Sequence, residues 1–263
     1  MWIRRRRMAT RVSDGGVSAD RQRRAQRGLT RMLVRDMRGL RRLIVPSRLQ
    51  ESVPDWIVAV RALVGEYGAA SASLAADYYE AERVAARVTG RFTVPLLDPP
   101  PEGKVEASLR WATKDVWVRD PDDPATTDAQ REPLDVRLAQ AEKKAEAVGQ
   151  KLVADQGRGT VQEAVRRDRQ ATAWARSAAL GACAFCKLLA TRGSVYKQDT
   201  ADFRAHDGCH CGVVPVFRGQ RFELSDKAKE WERLYREFAA PHSGEQLTRF
   251  RRALAEHGQM PVL

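Results

Sequence analysis

All four cysteines of the chain fall between Cys183 and Cys211, with two of its four histidines, inside GACAFCKLLATRGSVYKQDTADFRAHDGCHCGVVPVF, Gly181 to Phe217. This window constrains the fold more than any other feature. Cys183 and Cys186 form a C-x2-C pair and Cys209 and Cys211 a C-x-C pair, with His206 three positions before Cys209 and His210 between the second cysteines. Such pairs converge when the chain between them folds back. The β-branched content of RGSVY and CGVVPVF predicts two short strands that form a small hairpin and bring the ligand pairs together at one end.

Four sulfur or nitrogen ligands in a tetrahedral array make a closed structural zinc site with no position left for water. Cys183, Cys186, His206, Cys209 and Cys211 are the candidate ligands. A redox pair, a disulfide staple, a catalytic metal and plain core cysteines are the other readings. A redox pair at Cys183 and Cys186 leaves the second pair unexplained and lacks a preceding βαβ pattern. A deaminase-type zinc needs H-x-E ahead of its cysteines, and no histidine precedes His206.

Four cysteines in 263 residues are too few for a disulfide scaffold, so a reducing compartment is expected. The opening MWIRRRRMAT runs into polar sequence, which predicts no secretory leader. No apolar run reaches the roughly 18 residues that a bilayer span needs, so no membrane partner is expected. With 43% apolar residues the chain can bury a substantial core.

Charge is concentrated at one end. Residues 1–48 carry fifteen arginines and no lysine against Asp14, Asp20 and Asp36, which accounts for the whole net charge of +12, and the rest of the chain is balanced. A basic arm on a neutral body points to a polyanion or an acidic protein surface. After an unstructured start through SDGGVSAD, residues 20–45 are expected to be helical, with Leu29, Leu33, Met37, Leu40 and Ile44 on one face. Arg24, Arg27, Arg31, Arg35, Arg38 and Arg42 repeat two positions out of phase, on the opposite face. They form either a solvated face or a row for phosphate contact. No aromatic residue interleaves them, so any contact with double-stranded DNA would be non-specific.

Further along, Pro46 and Pro54 bracket a turn, with Asp55 capping a second long helix. Thr89 to Gly103 breaks the pattern, KVEASLRWATKDVWVR resumes it, and the segment from Pro133 to Ala154 is helical in composition. Gly157 to Gly159 reads as a turn between helices, with Thr160 capping the next one. Ser225 opens a helix that Pro241 stops, and Ser243 with Gln246 forms a capping-box pattern for a last helix closed by Gly258. The expected fold is mainly α: a helical N-terminal body, a small α+β metal-stapled C-terminal module and a terminal helical hairpin. The expected organisation is a basic arm and arginine-faced helix at 1–48, a helical body at 49–175, the Cys/His module at 176–222 and the hairpin at 223–263.

CAFCKLLATRGSVY followed by FRAHDGCHCGVVPVF resembles the C-terminal signature of the phage Mu F-like minor head proteins, or head morphogenesis proteins, in their actinobacterial phage and prophage form. The matching positions are Cys183, Phe185, Cys186, Arg192, Gly193, Val195, Tyr196, His206, Cys209 and Cys211. The helical stretch Trp56 to Arg83 also looks like that family's N-terminal half, so the resemblance spans about residues 20–220. It implies a minor capsid protein of the virion, made in the bacterial cytoplasm, that aids head assembly near the portal protein and other capsid components, and accompanies DNA. In that family the cysteine and histidine set is regarded as a metal site, with Cys183, Cys186, Cys209 and either His206 or Cys211 as the ligands implied here. No catalytic constellation is evident. The alternatives are a metal-dependent nuclease with His206 or His210 as base, or a zinc-stapled DNA-binding protein.

Overall fold

The structure, a computed structural model, describes residues 9–117, 122–196, 203, 205–206 and 208–258. The arginine run at the extreme N-terminus, the expected continuation of a helix to Arg119 and the middle of the cysteine window lie partly outside these residues. Among the described residues there are eight α-helices and four short strands, so the mainly α expectation holds, with a small α+β region around the cysteines.

Strand β1 (Thr10–Ser13) leads into α1 (Val17–Gly39). The stretch expected to be unstructured is therefore ordered, because Asp14 is fully buried and accepts hydrogen bonds from Ser225 N and Ser225 Oγ, both at 2.7 Å. Helix α1 tightens into a 3-10 turn at Leu40–Leu43, and α2 (Leu49–Ala85) follows. Pro54 lies inside α2, so Asp55 is not its cap. The Ser52 hydroxyl ties down the first turn instead, donating to Arg48 O at 2.8 Å, and a proline this near the start removes only one helical N–H bond.

After α3 (Glu102–Thr113) and the single-turn α4 (Asp128–Arg131), α5 (Leu134–Arg167) runs without a break through Gly157 and Gly159. Neither the expected turn nor the Thr160 cap exists there. A Cβ on Gly157 would lie 2.6 Å from Ser71 Oγ, and one on Gly159 would lie 2.3 Å from Leu97 Cδ2. The glycines are there for close packing rather than for a bend. Thr160 is buried in mid-helix, where its Oγ1 donates to Gln156 O and accepts from Leu97 N.

Helices α1, α2, α3 and α5 share one core, in which Leu33, Trp56, Val60, Leu109, Leu138 and Val153 meet. Each such fully buried side chain contributes about 1.5–3 kcal/mol of transfer free energy. Length and composition alone would allow α2 to cross a bilayer, but its apolar stripe is spent in this core, and Tyr78 and Tyr79 extend it to a second cluster with Val161, Trp174 and Phe217.

Strand β2 (Ala171–Ser177) pairs antiparallel with β3 (Gly212–Phe217), while β4 (Gln220–Glu223) pairs in parallel with β1. The RGSVY segment is not the partner of β3. It contributes only an isolated bridge from Tyr196 to Trp174, where the two rings stack at 4.3 Å. The partner is an alanine-rich segment whose sequence carries little strand signal. Between β2 and β3 lies α6 (Ala184–Ala190), and the chain ends in α7 (Asp226–Phe238) and α8 (Gln246–His257). Ser225 caps α7, its side chain accepting from Ala228 N. Ser243 does not cap α8: Gly244 turns with φ +85 and Glu245 takes the cap position. The terminal hairpin packs Trp231, Leu234 and Phe250 against Cys186, Cys209 and Cys211.

Candidate metal centre

Cys183 stands at the N-cap of α6, with extended backbone, and its Sγ accepts from Cys186 N at 3.4 Å. C-x2-C on the cap and first turn sets both sulfurs on one side of the helix start. Across from them, Gly208 adopts φ +71, a left-handed conformation that suits glycine, and Cys209 N donates to His206 O at 3.2 Å. The C-x-C that leads into β3 brings both of its sulfurs to Cys186.

The result is two overlapping trios. Cys183, Cys186 and His206 form one, and Cys186, Cys209 and Cys211 the other, with ligand atoms inside each trio within 4.8 Å of one another. His206 Nε2 sits 2.8 Å from Cys183 Sγ, and Cys186 Sγ sits 3.5 Å from Cys209 Sγ. Tetrahedral zinc with sulfur at about 2.3 Å sets sulfurs roughly 3.8 Å apart, so the donor set fits a metal ion. The second trio is buried, whereas His206 is exposed. The structure thus brings all five candidate ligands together. His210 belongs to neither trio, and it borders both neighbouring cavities.

Two arginines that sequence reasoning did not single out hold the centre. Arg158 of α5 is 6% exposed and spans the loop: Nε donates to Cys211 O at 2.8 Å, Nη2 to Cys209 O, and Nη1 reaches Asp155 at 2.7 Å. Arg176 of β2 is 1% exposed, donates from Nη1 to Cys186 Sγ at 3.5 Å and lies 3.6 Å from the centre of the Phe203 ring. The signal for Arg158 was its position between two glycines of a helix, which marks close packing. Nothing local marks Arg176.

These contacts set the thiol chemistry. Hydrogen bonds from Cys186 and Cys211 hold the Cys209 thiol well below its usual pKa, with the Arg158 charge adding to the effect. The Cys186 thiol moves the other way, raised by its bonds with Cys209 and Cys211 and by burial. At Cys183 burial opposes ionisation, but the Cys186 N–H and the His206 ring outweigh it, and its pKa is lowered. Cys183 and Cys209 are thus drawn toward the thiolate that ligates metal, while Cys186 and Cys211 are held as thiols until an ion displaces their protons.

Arg24, Arg27, Arg31, Arg35, Arg38 and Arg42 are all exposed, opposite buried Leu33, Met37 and Ile44. Arg38 is engaged by Glu146, at 2.7 and 3.0 Å, and Arg35 by Asp36 at 2.9 Å. Arg24, Arg27, Arg31 and Arg42 have no carboxylate partner among the described residues. Arg27 also borders the cavity of about 130 Å³ beside the cysteines.

Fold and site together define a mainly helical protein whose C-terminal part is organised around a Cys/His cluster able to hold a metal ion. The chain belongs to the VG15 protein family, a phage virion-associated family, which it matches over residues 16–238. That span includes α1 and every candidate ligand. No curated protein and no solved structure matches the chain.

Proposed function

We propose that this protein is a minor capsid component that acts in phage head assembly near the portal, in the manner of the Mu F-like head morphogenesis proteins. Its Cys/His cluster holds a structural zinc ion. The observation that carries the reading is the convergence of five soft ligands on a largely buried corner that the terminal hairpin packs against, in a chain of a phage virion-associated family. Cys186, Cys209 and Cys211 would hold the ion, with Cys183 or His206 completing the set. Zinc would supply there a rigid cross-link between α6, the loop and β3, which fixes a docking shape rather than a reaction centre.

The arginine face is the second working surface. Its four unengaged arginines suit the phosphates of packaged double-stranded DNA or the carboxylates of an acidic capsid protein. If all four meet phosphates, the slope of log affinity against log salt is roughly −3.6. Alanine at Arg24, Arg27, Arg31 and Arg42 should flatten that slope, and a DNA affinity indifferent to salt rules out this contact. The assembly role is tested by affinity purification from induced or infected cells, where the portal protein is expected to co-purify. Purified protein should carry zinc near one equivalent, and Cys186→Ser should lose it.

A further inference from the structure

Gln26 on α1, Tyr78 on α2 and His210 in the turn before β3 come from three separate parts of the chain and line one cavity. Each keeps a buried polar atom, Gln26 Nε2, Tyr78 Oη and His210 Nδ1, with no hydrogen-bond partner among the described residues. Tyr78 is only 6% exposed, so bulk water does not serve it. The other amide atom of Gln26 accepts from Ser71 Oγ at 2.8 Å, which holds that side chain in place. Three orphaned groups at one cavity are unusual, because buried polar atoms are nearly always paired.

Size and chemistry limit the occupant. The space open to the centre of a water molecule is about 30 Å³, and one water needs roughly 10–15 Å³ of it. Apolar ligands would leave all three polar atoms unserved. An anion would need free positive charge, but the arginines at the rim are engaged: Arg23 with Asp20 and Ser177, and Arg158 with Asp155 and two carbonyls. The groups present are an amide donor, a hydroxyl that gives and accepts, and a ring nitrogen that does either. Water is the smallest species that satisfies all of them.

We propose that this cavity is an internal water site, holding one or two molecules that bridge Gln26, Tyr78 and His210. The bridge ties the arginine-faced helix to the cysteine-bearing segment through a polar joint beside Cys211.

The conservative variant Tyr78→Phe keeps the ring and removes only the hydroxyl. With water bound, the melting midpoint should fall by about 2–4 °C, and Gln26→Leu added to it should cost less than its separate effect, since both serve the same water. A midpoint unchanged or raised in Tyr78→Phe would mean the hydroxyl was truly orphaned and overturns the proposal. Exchanging chloride for a larger anion should leave the wild-type midpoint unchanged, and a halide-dependent midpoint would assign the site to an anion instead. A high-resolution crystal structure of the full chain should show the water in contact with all three residues, and a site without it also overturns the proposal.

Discussion

Arg158 carries much of what a cysteine-centred view of this chain would assign to the sulfurs alone. Its guanidinium links Asp155 on its own helix to the carbonyls of Cys209 and Cys211, so the C-x-C turn is held by a residue some fifty positions away. Replacing it with methionine keeps the packing volume but orphans two buried carbonyls and leaves Asp155 paired with Lys151 alone. Arg158→Met should cost about 3–5 kcal/mol in chemical denaturation and weaken retention of the proposed zinc ion, although no candidate ligand is removed. The convergence of the four cysteines and His206 was legible in their spacing, but the contacts of Arg158 and Arg176 were not, because they exist only once distant segments meet. Glu82 makes a separate point. It is 7% exposed, and burial raises its pKa against the opposing bond from Ser18. A carboxyl raised on folding stabilises the fold below its unfolded pKa of about 4.3 and loses that contribution as pH rises through the folded value. Glu82→Gln, which copies the protonated form and keeps an acceptor for Ser18, should therefore raise the melting midpoint at pH 7 and leave it unchanged near pH 3.

At the level of elements, the helices followed from apolar periodicity and β3 from its β-branched run, but the other strands and the pairings did not. The stripe Leu29, Leu33, Met37, Leu40 identifies α1 from local spacing. By contrast, β1 pairs with β4 from the far end of the chain, Thr10 opposite Gln220, and no local pattern reports such a partner. The glycines of α5 misled for a related reason, since a helical glycine reads as a break until the neighbour that crowds it is known. Two matched substitutions separate those meanings. Gly65 in α2 has nothing within 4 Å of the position a Cβ would take, so Gly65→Ala should gain up to about 1 kcal/mol of helix propensity. In Gly157→Ala the same propensity is offset by contacts at 2.6 Å to Ser71 Oγ and 3.1 Å to Ser71 O. The backbone oxygen cannot rotate away, and a net loss of about 1–2 kcal/mol is expected. Thermal melts of the two variants should shift in opposite directions.

Across the whole molecule, the chain closes on itself through Asp14. Its carboxylate takes both bonds from the α7 cap residue Ser225, and its carbonyl oxygen accepts from Arg23 and Ser177. One buried residue therefore connects the N-terminal segment, the arginine helix, the β2 end of the cysteine module and the terminal hairpin. The arginine face and the Cys/His cluster are consequently parts of one body, which an assembly role needs if one surface is to orient the other. Asp14→Ala leaves the Ser225 N–H and hydroxyl unpaired and frees the segment before α1, at a cost of about 2 kcal/mol. That is roughly a 30-fold rise in the population of the detached segment. Arg11, close to Asp14 on β1, is a trypsin site that the β1–β4 pairing protects, so cleavage after Arg11 should accelerate by about that factor while the helical body stays intact. Ser225→Ala should accelerate it less, because the backbone N–H bond to Asp14 survives. Equal rates in wild type and Asp14→Ala would mean that strand pairing alone holds the segment, and that the two surfaces are joined without this clasp.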